Sequence, residues 1–115
     1  MQENQKTLKR RYEFEGKGLH TGKLVKMTLS PAPANTGIRF LRTDLGPDAY
    51  IDAVADYVTL TQRSTTLQKG DITITTLEHL MATFFALGVD NALVEIDNVE
   101  VPILDGSSKP YVEAI

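Results

Sequence analysis

The clearest helical pattern in this sequence is Thr75-Thr76-Leu77-Glu78-His79-Leu80-Met81-Ala82-Thr83-Phe84-Phe85-Ala86-Leu87-Gly88. Its apolar stripe has helical spacing and consists of Leu77, Leu80, Met81, Phe84 and Phe85. Gly88 stands where a C-terminal cap belongs, so the pattern predicts a helix over residues 77–87. The face that carries His79 has only small neighbours, namely Ala82, Thr83 and Ala86. We therefore expect both faces of this helix to be covered.

Alternating apolar residues predict strands on both sides of the helix. The predicted strands are residues 7–14, 24–30, 38–41, 64–67, 72–75 and 92–96. We interpret residues 23–42 as an antiparallel pair joined by the loop that ends at Gly37. Residues 99–104 are expected to be extended, because Pro102 forbids a regular helix there.

This order of elements predicts an α+β fold, with two helices packed on one face of a mainly antiparallel sheet. The second helix is expected to start near Ser107 or Ser108, after the turn at Asp105-Gly106. The chain stops at Ile115, inside an apolar helical pattern that has no Gly, Asn or Pro stop signal. We therefore expect it to be a fragment of a longer protein.

The composition is that of an ordinary globular domain and excludes several classes of protein. The chain has 115 residues, is 42% hydrophobic and has a net charge of -3, which disfavours a nucleic-acid partner. It has no cysteine, so disulfides and thiolate metal sites are excluded. No secretory signal and no apolar run of ~20 residues occurs, so we expect a cytoplasmic protein without an integral membrane segment.

Glu78 and His79 each allow two interpretations. The sequence from Thr75 to Glu78 fits a capping box, but a carboxylate at a helix start also suits a general base. His79 is either an ordinary polar side chain or a metal ligand. A catalytic zinc needs about three protein ligands. The only other histidine is His20, and no His-x-x-His or His-x-x-x-Asp spacing occurs.

Six motifs occur in order along the chain. They are Gly18-Leu19-His20-Thr21-Gly22, Pro31-Ala32-Pro33-Ala34-Asn35-Thr36-Gly37, Arg42-Thr43-Asp44-Leu45, Thr76-Leu77-Glu78-His79-Leu80, Gly88-Val89-Asp90-Asn91 and Val101-Pro102-Ile103-Leu104-Asp105-Gly106-Ser107-Ser108. Together they resemble the N-terminal domain of the UDP-3-O-acyl-N-acetylglucosamine deacetylases over residues 6–115. The resemblance implies a zinc-dependent hydrolase acting on a UDP-linked, acylated N-acetylglucosamine. This is the committed step of lipid A biosynthesis in Gram-negative bacteria.

The resemblance also implies roles for individual residues. Glu78 would be the general base, His79 one zinc ligand, and Asp105 a supporting residue of the catalytic site. The remaining zinc ligands, a His and an Asp, would come from a second, C-terminal domain, and His20 would not be one of the catalytic zinc ligands and has no assigned role.

The resemblance extends to the organisation of the chain. Residues 1–115 would form the N-terminal half of a two-domain sandwich, with an inserted subregion at about residues 43–75. The alternative is a non-catalytic interaction or regulatory module of the same fold, which has no need for both Glu78 and His79.

Overall fold

The computed structural model describes residues 5–18, 21–60 and 65–103. Its elements in chain order are β1 (Tyr12–Gly18), β2 (Leu24–Pro31), β3 (Ile38–Arg42), β4 (Tyr50–Asp52), a 3₁₀ turn (Ala55–Tyr57), β5 (Val58–Leu60), β6 (Thr65–Lys69), β7 (Ile72–Thr75), α1 (Glu78–Leu87), β8 (Ala92–Ile96) and β9 (Pro102–Ile103). The strands form a six-stranded sheet, β4-β3-β8-β2-β1-β9, and a three-stranded sheet, β5-β6-β7. Among these described strands only the β3–β8 pair is parallel. The predicted α+β class with a mainly antiparallel sheet is confirmed.

The described residues include only one of the two predicted helices. The predicted helix over residues 77–87 is confirmed as α1, and Gly88 caps it at a φ of 70°. The second predicted helix, near Ser107 or Ser108, lies outside the described residues. A second helix and a two-domain sandwich therefore stay predictions. In the described part of the chain, no helix has the length and hydropathy needed to cross a membrane.

The predicted direct pairing of the two strands within residues 23–42 is wrong. β2 and β3 run in opposite directions, but β8 lies between them, antiparallel to β2 and parallel to β3. The register places Val94 beside Leu29 on one strand and Phe40 on the other. All three side chains are fully buried, and hydrophobic burial is the dominant favourable term in folding. This apolar row across three strands explains why β8 occupies the centre of the sheet.

The first strand is displaced from its predicted position at residues 7–14. β1 begins at Tyr12 and continues through Gly18, while Thr7 forms only an isolated bridge with Asn91. β1 continues to Gly18 because β9 pairs with its last two residues. Lys17 lies opposite Ile103, and Gly18 lies opposite Pro102. Pro102 fits there because β9 is an edge strand, where a missing N–H does not interrupt the sheet.

The core connects both sheets to α1. One cluster of buried residues includes Leu67 and Ile74 from the small sheet, Val94 from the large sheet, and Leu80 and Phe84 from α1. Most of the predicted apolar stripe of the helix is therefore confirmed as core.

Two residues of α1 lie on faces other than those predicted. Phe85 was assigned to the buried stripe, yet its side chain is 91% exposed. Thr83 was assigned to the opposite face, yet it is fully buried and its hydroxyl donates to the backbone oxygen of His79 at 2.8 Å. Such a hydrogen bond to the preceding turn satisfies a buried hydroxyl without another partner.

Arg42, at the end of β3, is buried and connects the two sheets. Its Nε and Nη2 donate to the two carboxylate oxygens of Asp44 at 2.9 and 2.6 Å, and its Nη1 donates to the backbone oxygen of Thr73 at 2.9 Å. The side-chain hydrogen bonds from Arg42 hold the pKa of Asp44 below its ordinary value, although partial burial opposes this shift. The hydrogen bonds of Arg42 therefore connect residues 42–44 to β7, which lies near the end of the predicted insert at about residues 43–75.

Two elements of that region follow the sequence prediction. The strands expected at residues 64–67 and 72–75 are confirmed as β6 and β7, and they turn at Gly70, which has a φ of 59°. Residues 43–58 have weak periodicity, and they contain only β4, the 3₁₀ turn and the start of β5.

Candidate active site

The first turn of α1 carries the two residues that the sequence analysis singled out. Glu78 is the first residue of the helix, His79 follows it, and both are half-buried. Successive helical residues point about 100° apart, so the carboxylate and the imidazole leave the helix in different directions from neighbouring positions. A carboxylate in the first turn also interacts favourably with the helix dipole.

The capping box expected between Thr75 and Glu78 does not form. Leu77 occupies the N-cap position and no side chain caps the helix. Thr75 ends β7, and its N–H already donates to the backbone oxygen of Val99 at 2.8 Å, so it is not available to Glu78. The Oε1 atom of Glu78 instead accepts a hydrogen bond from the backbone N–H of Thr65, at the start of β6.

This hydrogen bond fixes one oxygen of the Glu78 carboxylate and leaves the other available. The second oxygen has no hydrogen-bond partner among residues 5–18, 21–60 and 65–103. The arrangement suits a proton acceptor, because one oxygen orients the carboxylate and the other can reach a reacting group.

His79 lies on a face of α1 that the described residues leave open. Ala82 and Ala86 share this face at helical spacing and are exposed, as is the adjacent Phe85. The expectation that this face is covered stays a prediction, because no described residue packs over Phe85.

An imidazole is a common zinc ligand, so His79 fits a zinc site as one of its donors. In the part of the chain that the structure describes, no group of three His, Asp or Glu side chains is arranged to hold a metal ion. Asp105 lies outside the described residues, so its expected place near the site stays a prediction, and His20, which was not expected to be a catalytic zinc ligand, lies outside them as well.

The sequence analysis missed a network beneath the helix start. Glu100 is 0% exposed, and its Oε2 accepts a hydrogen bond from the hydroxyl of Thr76 at 2.7 Å. Its Oε1 accepts another from the backbone N–H of Thr21 at 2.9 Å. The available signal was an acidic residue between Val99 and Val101 in an otherwise apolar, extended segment.

Gly18 leaves room for this network. A Cβ atom at Gly18 would lie 2.6 Å from the hydroxyl of Thr21 and 3.0 Å from Cδ of Glu100, and closer still to Oε1 of Glu100. Real Cβ atoms do not approach other atoms this closely. Glycine is therefore required here by a close approach rather than by an unusual φ angle.

We expect Gly18→Ala to lower the free energy of unfolding by about 1–3 kcal/mol, the usual effect of overpacking a buried position. Chemical denaturation of the wild type and the variant measures this change. Lys17→Ala, at an exposed position of the same strand, is the control and should stay within ~0.5 kcal/mol of the wild type. Equal stability of Gly18→Ala and the control would contradict the close approach.

Comparison with known proteins adds to this geometry. Residues 5–115 match the family model described as LpxC, UDP-3-O-acyl N-acetylglycosamine deacetylase. Over 113 residues the chain is 50% identical to a protein of Porphyromonas gingivalis named "Bifunctional enzyme LpxC/FabZ", covering 98% of this chain and 24% of that protein. Over 111 residues it is 52% identical to a protein of Citrifermentans bemidjiense named "UDP-3-O-acyl-N-acetylglucosamine deacetylase", covering 96% of this chain and 36% of that protein. The chain thus spans 24–36% of the length of these relatives.

Proposed function

Because the chain belongs to the UDP-3-O-acyl N-acetylglycosamine deacetylase family, we propose that it is the N-terminal domain of a zinc-dependent deacetylase. Its substrate is a UDP-linked, 3-O-acylated N-acetylglucosamine, and the reaction is hydrolysis of the N-acetyl group, the committed step of lipid A biosynthesis. The names of the similar proteins support the substrate class and the reaction. The chain provides the general base and one zinc ligand, and a second domain provides the rest of the site.

The main support for the proposed residue roles is the hydrogen-bond partner of Glu78. The Glu78 carboxylate is held by the Thr65 N–H and not by its own helix, and it lies next to His79 on an open face of α1. A helix cap would have kept the carboxylate on the backbone of Thr75. The observed contact with β6 instead orients Glu78 beside the only imidazole among the described residues.

The chain's own residues perform two tasks in the proposed reaction. Zinc, when bound, would supply Lewis-acid chemistry to the amide carbonyl and to water. His79 would hold the metal, while Glu78 would accept a proton from the attacking water at its second carboxylate oxygen. The water oxygen bonds to the acetyl carbon and the C–N bond breaks. Acetate and the free amino sugar are released as the nitrogen takes up a proton.

The remaining assignments complete the proposed site. Asp105 has the proposed role of a supporting residue of the catalytic site. A His and an Asp of the C-terminal domain supply the other zinc ligands. Residues 43–75 form the inserted subregion, which contains β4 to β7 and includes Thr65, the hydrogen-bond donor to Glu78. The insert therefore helps to position the base.

The 115-residue chain alone is expected to show no deacetylase activity and to bind zinc weakly. The reason is that one imidazole is only a fraction of the about three protein ligands that a catalytic zinc needs. Equilibrium dialysis with zinc measures the binding, and acetate release measures the activity. Submicromolar binding of one zinc per chain would contradict the division of ligands between two domains.

A further inference from the structure

Thr76 is held in a conformation that its residue type disfavours. Its φ angle is 64°, in the left-handed region, where a β-branched residue is a genuine outlier. Strained residues of this kind persist only where their surroundings fix them, and they cluster at functional sites. Thr76 lies two residues before Glu78, so its conformation sets the direction in which the chain enters α1.

Two sets of contacts fix the conformation of Thr76, namely the backbone pairing of its neighbour and the hydrogen bond of its own side chain. The preceding residue, Thr75, pairs with the segment around Glu100, since Thr75 N–H donates to Val99 O at 2.8 Å and Val101 N–H donates to Thr75 O at 3.0 Å. The hydroxyl of Thr76 donates to the buried Glu100 carboxylate. Because Glu100 is fully buried, this hydrogen bond satisfies a polar group that would be costly to leave without a partner.

The same carboxylate also fixes the turn after β1. Glu100 accepts the N–H of Thr21 and lies against the space left by Gly18. It therefore joins three segments that are distant in sequence, namely the turn after β1, the link between β7 and α1 and the segment before β9.

We propose that Glu100 is a positioning residue for catalysis, which acts through Thr76 to fix the orientation of Glu78 and His79. This inference rests on the proposed function. The carboxylate would act on Glu78 and His79 indirectly, through its hydrogen bond with the Thr76 hydroxyl. It holds Thr76 in its left-handed conformation, so that the first turn of α1 directs the Glu78 carboxylate to the Thr65 N–H.

A merely structural role makes a different prediction at Thr76. Glycine adopts a positive φ without strain. If the contact with Glu100 only compensates for strain, Thr76→Gly in the full-length protein should fold and keep its turnover. If the contact positions the base, the same variant should fold but lose turnover, because the anchor is absent.

We expect Thr76→Gly in the full-length protein to lower kcat by about 10–100-fold, the effect of a small misplacement of catalytic groups. KM should change little, because substrate contacts are not altered. Thr76→Ser keeps the hydroxyl, so the kcat of this variant should be near the wild-type value. The matched control is Thr7→Val, which removes a hydroxyl that donates to Asn91 O at 2.6 Å outside residues 43–75, and it should keep kcat.

Hydrogen exchange provides a readout that does not depend on activity. The Thr65 amide should exchange faster in Thr76→Gly than in the wild type, because its acceptor on Glu78 is displaced. Amides of β2 and β8 should exchange as in the wild type. A Glu100→Ala variant that folds should show the same loss of kcat and the same faster exchange of the Thr65 amide. The double variant with Thr76→Gly and Glu100→Ala should lose no more kcat than the single variant with the larger loss.

The outcomes separate the two proposals. Unchanged kcat and unchanged Thr65 exchange in a folded Thr76→Gly variant would overturn the positioning role, whatever Glu78 does. Failure of Thr76→Ser to restore kcat would also overturn it. A full-length protein without deacetylase activity would overturn the proposed function, while Thr65 exchange would still decide whether Glu100 and Thr76 position Glu78.

Discussion

Glu78→Gln in the full-length protein is expected to lower turnover by at least ~100-fold, the lower range of what a positioned general base contributes. The substitution separates the two tasks of the side chain. The amide oxygen of glutamine can still accept the Thr65 N–H, so the orientation of the side chain is kept. The amide cannot accept the proton of the attacking water at its second position. Steady-state measurement of acetate release gives kcat, and circular dichroism checks the fold.

The control for this variant is Glu95→Gln, a half-buried carboxylate-to-amide change on β8, away from the start of α1. It should keep wild-type turnover. If Glu78→Gln also keeps its turnover and the free energy of unfolding falls by only ~1 kcal/mol, Glu78 is a structural acceptor for Thr65 and nothing more. The proposed general base would then be wrong, even though the family membership stands.

His79→Ala in the full-length protein is expected to reduce zinc affinity by more than the roughly 10–100-fold that loss of an outer-shell partner typically causes. The reason is that this change removes a proposed direct ligand. Alanine is the best helix former, so α1 should persist. Titration against a chelator of known affinity measures the dissociation constant of zinc. Turnover at limiting zinc should fall in parallel.

His20→Ala is the matched control, since it removes the other histidine of the chain. It should leave the zinc affinity of the folded protein unchanged. Excess zinc then distinguishes two causes of lost activity in His79→Ala. Recovery of turnover with added zinc indicates lost affinity, whereas wild-type zinc affinity in this variant would exclude His79 as a ligand.

The elements that could be predicted from sequence are those specified by local patterns. The helix α1 was predictable because its apolar spacing and the cap at Gly88 lie within one short segment. The β6–β7 hairpin was predictable for a similar reason, since alternating residues flank the turn at Gly70.

The features that could not be predicted depend on contacts between distant segments. The place of β8 between β2 and β3 follows from burial of Val94 against side chains more than 50 residues away in sequence. The partner of Glu78 was likewise hidden, because the capping box is a local rule and the Thr65 N–H is brought to the helix only by the tertiary fold. No sequence motif predicted the role proposed for Glu100, because its burial and its hydrogen bonds with Thr76 and Thr21 arise only in the folded chain.

The central position of β8 has a consequence for synthesis of the protein. Val94 is paired with Phe40, 94 − 40 = 54 residues earlier in the chain. At a translation rate of ~5–20 residues per second, β3 therefore emerges roughly 3–11 s before its neighbour exists. During that interval the inner edges of β2 and β3 have no strand to pair with, and unpaired edges invite association with other chains. We expect the nascent protein to be most vulnerable to aggregation, and most dependent on chaperones, until β8 has left the ribosome.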